Sequence, residues 1–162
     1  MRRWSAFGAI LAIVVGLGAF DAVGHATDAR SILGRTFRVY EHDTAQNQIG
    51  KGDTLGDRFI YSGDLFDRKG GKFLGRVGGD CETMSTGAHG ETVCTGNFTL
   101  PGGQIITQGL FDTAGLFGGG KTLPWAITGG TGIYRNAHGY GTVLVPPDVP
   151  NLADAIFIFY LT

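Results

Sequence analysis

The sequence predicts an all-β protein, either a closed antiparallel barrel or a sandwich. Three observations carry this. About eight short stretches suit strands, and turns containing glycine separate them at regular spacing. Helical periodicity is almost missing from the chain. The 29 glycines among 162 residues fit the sharp corners and bulges that a small barrel needs. Closure into a barrel also removes unpaired strand edges, and eight strands leave room for packed side chains or one small ligand.

The chain opens with Arg2-Arg3, then an apolar run from Ala6 to Phe20, then small residues. Gly24 and Ala26 are placed for cleavage after Ala26. This pattern describes a secretory signal peptide over residues 1–26. The apolar run falls short of the ~20 residues a membrane span needs. A secreted, extracellular protein with no stable membrane span in its mature form is therefore expected; a retained N-terminal anchor is the second reading. Losing Arg2, Arg3 and Asp21 with that segment moves the formal charge from −1 to −2. With no basic run and no aromatic-basic interleaving, nucleic acid is excluded as a partner. Residues 27–35 read as a leader, and residues 36–162 as a single domain.

Thr36 to Asp43 alternates as a strand, with Phe37, Val39 and Glu41 on one face. If Phe37 and Val39 face a core, Glu41 goes inward with them. There it must find hydrogen-bond donors or carry a raised pKa, which makes it a site candidate. The alternative places it in water at the strand end. Thr44 to Gly56 reads as a polar loop over one end of the fold. Asp57 to Asp67 is the second strand, with Phe59, Tyr61 and Leu65 on one face. Arg68 to Lys72 is a solvated turn. Phe73 to Met84 is a strand containing Gly75, Gly78 and Gly79, which mark bends or bulges.

Glu91 to Leu100 returns, with Val93, Thr95, Asn97 and Thr99 alternating against Cys94, Gly96 and Phe98. A hairpin about Thr86 to His89 sets Cys81 nearly opposite Cys94. An even pair of cysteines in an exported protein predicts a disulfide between them. A metal site would want CxxC or nearby histidines at fixed spacing, and His89 alone makes a poor set; no metal and no cofactor are expected. Gln104 to Phe111 is a strand. Asp112 to Lys121 is a glycine-rich loop carrying Leu116-Phe117. Thr122 to Thr128 leads into Gly129-Gly130-Thr131-Gly132. A phosphate loop would need a helix beyond the glycines and a Gly-Lys-Ser/Thr ending, so this is a structural corner. Tyr134 to Ala137 suits one helical turn, and His138 to Val145 another strand. Val145 to Pro150 is a rigid connector. Ala155 to Leu161 is apolar on both faces. It is therefore covered on both sides, or faces a core on one side and a partner on the other, such as a second copy in a homo-oligomer.

Several motifs occur in order: Val39-Tyr40-Glu41, Leu55-Gly56-Asp57, Tyr61-Ser62-Gly63-Asp64-Leu65, Gly75 to Cys81, and Ile127 to Ile133 with its Gly-Gly-Thr-Gly. Together they resemble plant allene oxide cyclases and the related dirigent proteins over about Thr36 to Leu161. The resemblance implies a closed eight-stranded antiparallel β-barrel whose apolar interior binds a hydrophobic small molecule. It implies that Glu41 matches the glutamate that assists epoxide opening, and that Cys81 matches a cysteine shaping the cavity. This chain departs from that family at Asp43, where the family has asparagine. It is also shorter between Asp57 and Tyr61. The shared corner identifies the barrel and not the reaction.

The reading that follows is an exported barrel that binds a hydrophobic small molecule and steers its cyclisation or isomerisation. Glu41 is the catalytic candidate, and Val39, Asp43, Phe59, Tyr61 and Asn97 are the candidate ligand-binding residues. The alternative is a non-catalytic binding barrel or an oligomeric interaction barrel. A cyclase needs a cavity with a buried carboxylate, a binding barrel a cavity without one, and an interaction barrel a filled interior with an exposed apolar face. His42 and Ser62 form no triad, because no nucleophile-elbow motif is present.

Overall fold

The computed structural model describes residues 35–147 and 154–162. The expected signal peptide, most of the leader and the connector beyond Pro147 lie outside the described residues.

Eight antiparallel strands form the barrel: β1 (Thr36–Ile49), β2 (Arg58–Phe66), β3 (Phe73–Ser85), β4 (Glu91–Leu100), β5 (Gly103–Asp112), β6 (Thr122–Gly130), β7 (Gly139–Leu144) and β8 (Asp154–Leu161). Each pairs with the next in sequence, and β8 returns to β1, so the sheet is closed. The closing pairs run from Thr36 opposite Tyr160 to His42 opposite Asp154.

The inward residues alternate along every strand. One half of the interior is packed with aromatic rings. Phe98 is fully buried and meets Trp125, Phe157 and Phe159 edge-on at centroid separations of 5.6, 4.9 and 5.0 Å. Trp125 stacks on Phe157 at 5.3 Å. Inward glycines make the space: a Cβ on Gly96 would lie 2.9 Å from the Phe98 ring, and one on Gly109 2.5 Å from Phe111. Large rings facing absent side chains is how a narrow barrel reaches close packing.

The Cys81–Cys94 disulfide forms as expected. The two residues are register partners on β3 and β4, with Cα atoms 4.0 Å apart. Among the described residues no helix is long and apolar enough to cross a membrane.

The structure differs from the sequence reading in three places. Thr44 to Ile49, read as loop, continues β1 and pairs with β2 beyond a bulge between Asp43 and Ala45. These residues are exposed, so no buried face imposes an apolar alternation on them. The glycine-rich loop after β5 contains a short helix, α1 (Thr113–Phe117), whose N-cap Asp112 side chain accepts the Gly115 N–H at 2.7 Å. The helical turn expected at Tyr134 to Ala137 begins earlier, as a 3-10 turn over Gly132–Tyr134.

That 3-10 turn and α1 cover opposite ends of the barrel, since one packs beside the start of β5 and the other follows its end. The Gly-Gly-Thr-Gly corner is structural. Thr131 N–H donates to Gln104 O at 2.9 Å and Ile133 N–H to Gly102 O at 2.9 Å. Gly132 has φ +59, and a Cβ there would lie 2.1 Å from Gly102 O. The left-handed backbone and the close approach both demand glycine. Gly132→Ala is expected to destabilise the fold by about 2–3 kcal/mol, read as a lower urea midpoint at unchanged slope; a midpoint equal to wild type would show that the corner relaxes freely.

Candidate functional site

The packed aromatic half leaves a small apolar chamber toward the α1 end, with about 60 Å³ of space. Glu41 and Asp43 of β1 form one wall, and Phe59 and Tyr61 of β2 the next. The disulfide, Trp125 and Phe157 continue the wall, and Leu116 and Phe117 of α1 close it. Alternation puts Glu41 and Asp43 on the same side of their strand, two residues apart, so both carboxyl groups reach the same space.

Glu41 is only 4% exposed. Its Oε1 and the Asp43 Oδ1 are both buried without a hydrogen-bond partner when each is taken as an acceptor. The other Asp43 oxygen accepts from the Gln46 amide. Burial pushes the Glu41 carboxyl well above the usual carboxylate range; the negative charge of Asp43, a hydrogen bond with it and the charge of Asp154 push it further. The hydrogen bond with Asp43 favours the protonated form of Glu41, as does the neighbouring negative charge. Glu41 is therefore a carboxyl held toward its protonated form beside Asp43, facing an apolar space.

Tyr61 extends the polar corner. Its hydroxyl donates to Thr95 O at 3.4 Å. Burial, then the charges of Glu41, Asp43 and Asp80, push its phenol far up, so it stays a neutral hydrogen-bond donor. Phe59 stacks beside it at 6.1 Å.

Two glycines make the polar corner possible. A Cβ on Gly63 would sit 2.6 Å from Glu41 Oε1 and 2.8 Å from its Cγ. A Cβ on Gly79 would sit 2.7 Å from the Tyr61 hydroxyl oxygen. Both lie in motifs visible in the sequence, Tyr61 to Leu65 and Gly75 to Cys81, yet nothing in the chain alone says which side chain each glycine serves. Trp125, Phe157 and Phe117 also line the chamber and were not singled out from sequence; their aromatic character was the available signal.

The structure brings together Glu41, Asp43, Phe59, Tyr61 and the Cys81–Cys94 bridge. It does not bring in Val39 or Asn97. Val39 is fully buried within the packed core. Asn97 is exposed on the outer face of β4, its amide 3.5 Å from Gly78 O, because the alternation gives the inner positions to Cys94, Gly96 and Phe98. His138 is exposed and bonds the Asn136 carbonyl at 2.8 Å, away from the chamber. Among the described residues no group of three or more His, Cys, Asp and Glu is placed to hold a metal ion.

The sequence profile of the Allene oxide cyclase barrel like domain matches residues 36–151. No curated protein matches the sequence. Solved structures do. A pyocyanin demethylase is 27% identical with a TM-score of 0.65, the match covering 79% of this chain and 100% of that one. The Diels Alderase AbmU from Streptomyces koyangensis is 20% identical with a TM-score of 0.63, covering 78% of this chain and 63% of that one. The pterocarpan synthase dirigent protein GePTS1 is 18% identical with a TM-score of 0.58, covering 79% of this chain and 88% of that one. The last two likenesses show the fold alone.

The upward shift of Glu41 fixes a sign for stability. The folded state holds its proton to higher pH than the unfolded chain does, so the stabilisation is complete below the unfolded value and is lost as pH rises through the folded one. Relative to Glu41→Gln, the wild type should lose up to about 1.4 kcal/mol per pH unit above the ordinary carboxyl value of 4.5. Urea titrations of both proteins across that range check this, and parallel profiles would mean that Glu41 is ionised in the fold.

Proposed function

This chain belongs to the family of Allene oxide cyclase barrel like domains, and on that premise we propose that it is an exported barrel that binds a hydrophobic small molecule beside Glu41 and steers its cyclisation or isomerisation. The observation that carries this reading is a buried carboxyl, paired with Asp43, in the wall of an otherwise apolar chamber. A filled interior would have pointed to an interaction role alone.

In this reading the chamber walls hold the ligand in one conformer, which supplies proximity and orientation. Glu41 donates its proton, or a hydrogen bond, to an oxygen of the ligand, and the Asp43 carboxylate stabilises the protonated partner before transfer. Ring closure or isomerisation returns a proton to the pair, so the proton balance closes without a co-reactant. Such general acid assistance is typically worth ~10²–10⁴-fold in rate. Phe59 and Tyr61 present flat apolar faces, and the Tyr61 hydroxyl offers a second neutral donor.

The names of the neighbours support small-molecule chemistry on this barrel: a demethylase of pyocyanin, a Diels Alderase and a pterocarpan synthase. The disulfide supports export, since such bonds persist in oxidising compartments. A second use has its own support: Ile106, Leu110 and Tyr140 are exposed on adjoining parts of the outer wall, which favours self-association.

Native mass spectrometry of the wild type beside Glu41→Gln, after exposure to a lipid and phenolic extract, tests the proposal. Ligand retained by the wild type, with altered product or retention in the variant, is the expected result. Equal retention by both would leave a binding barrel in which Glu41 has no chemical part, and a dimer mass with no ligand would favour the interaction role.

A further inference from the structure

The chamber is not sealed from the outside by the barrel wall. Above it lies a wider mouth of about 600 Å³, whose lining includes the exposed polar side chains of Gln48, Lys51, Asp53 and Thr86. Phe59, Cys81 and Phe117 line both spaces, so these three residues are the partition between them. Two of the three are fixed. Phe59 sits within β2, and Cys81 is tied across to Cys94.

Phe117 is different. It is the last residue of α1, a helix of five residues, and Gly118, Gly119 and Gly120 follow it. Gly119 and Gly120 take positive φ, +67 and +75. α1 is held at its start by the Asp112 cap and by the Thr92 and Thr113 hydroxyls, 2.8 Å apart. Its far end is closed by Gly118 N–H to Ala114 O at 2.9 Å and the glycine run by Gly120 N–H to Val145 O at 2.7 Å, so what can move is the Phe117 side chain and not the helix. The Phe117 ring meets Phe59 edge-on at 5.8 Å, a contact that rotation of one side chain opens.

We infer that Phe117 is the specificity-determining gate of one continuous channel, which takes an amphipathic ligand with its apolar end in the chamber and a hydroxyl-bearing end in the mouth. This rests on the chamber being a ligand site. The inner space alone is small and apolar; joined to the mouth it accepts a molecule with a polar tail, which the exposed polar side chains of Gln48, Lys51, Asp53 and Thr86 can hydrogen-bond. The size of the group at position 117 then decides how wide a neck the ligand has at the junction.

Trp125 lines the chamber and is 4% exposed, and Trp4 is the other tryptophan of the chain. In the full chain carrying Trp4→Phe, the fluorescence of Trp125 reports on the chamber alone. Phe117→Ala is expected to raise quenching of Trp125 by acrylamide severalfold, Phe117→Leu by less, and Phe117→Tyr not at all, with far-UV circular dichroism unchanged. Titration calorimetry supplies the second arm. Octyl glucoside should gain severalfold more affinity from Phe117→Ala than octanol does, since only the glucoside, its head held in the mouth, spans the neck when bound. Should Phe117→Ala fail to fold, the Leu variant carries both measurements. Quenching equal to that of the Tyr variant, or equal gains for the two amphiphiles, overturns the gate. Acrylamide needs no acid, so failure of the Glu41→Gln experiment leaves this result standing, and failure here leaves the role of Glu41 untouched.

Discussion

Closure of the sheet between β1 and β8 is the constraint on which everything else depends. Once Thr36 stands opposite Tyr160 and Glu41 opposite Ala155, every strand has a fixed inner and outer side. A slip of one residue would turn Glu41 outward along with Val39, and on β8 would turn out Phe157 and Phe159. The aromatic packing therefore holds the acid in place without touching its carboxyl, since the rings and the acid obey one alternation. Ala155 opposite Glu41 is small, and Gly63 beside it smaller still, so the closed register also leaves the space the carboxyl occupies.

The interior divides into a half that is packed and a half that keeps an open chamber. Phe98, Trp125, Phe157 and Phe159 fill the first with edge-on and stacked contacts, each worth about 0.5–1.5 kcal/mol beyond burial. The second contains a carboxyl whose burial opposes ionisation. Such a group costs stability, and the packed rings are where the offsetting stability resides. The bridge between Cys81 and Cys94 lies at the boundary, fixing the separation of β3 and β4 where the packed rings give way to open space.

Much of this was legible in the chain. Alternation put Glu41 on the face of Phe37 and Val39, leaving it either inside or wet at the strand end, and put Phe59 and Tyr61 on one shared face; the hairpin between residues 81 and 94 predicted the bridge. What failed to show has a physical cause in each case. Thr44 to Ile49 forms a strand on hydrogen bonds to β2 with both faces wet, and a wet strand leaves no hydrophobic period. α1 is a single helical turn made by the Asp112 cap, too short for a repeat to register. Asn97 was a ligand-binding candidate, but the alternation that sends Cys94 inward sends Asn97 out. The proton relation between Glu41 and Asp43 needed coordinates, because a spacing of two residues says that both carboxyls face one way and not that their oxygens are otherwise unpartnered.

Gly63 and Gly79 give the site its shape through matter that is not there. Replacing side chains one by one with alanine subtracts atoms at nearly every position of a protein, but at these two it adds one, within 2.6 Å of Glu41 Oε1 and 2.7 Å of the Tyr61 oxygen. A conventional scan reads such residues as inert filler and passes over them. In this barrel the outline of the polar corner is a cast whose mould is glycine, so the mutations that map it are insertions of volume rather than removals.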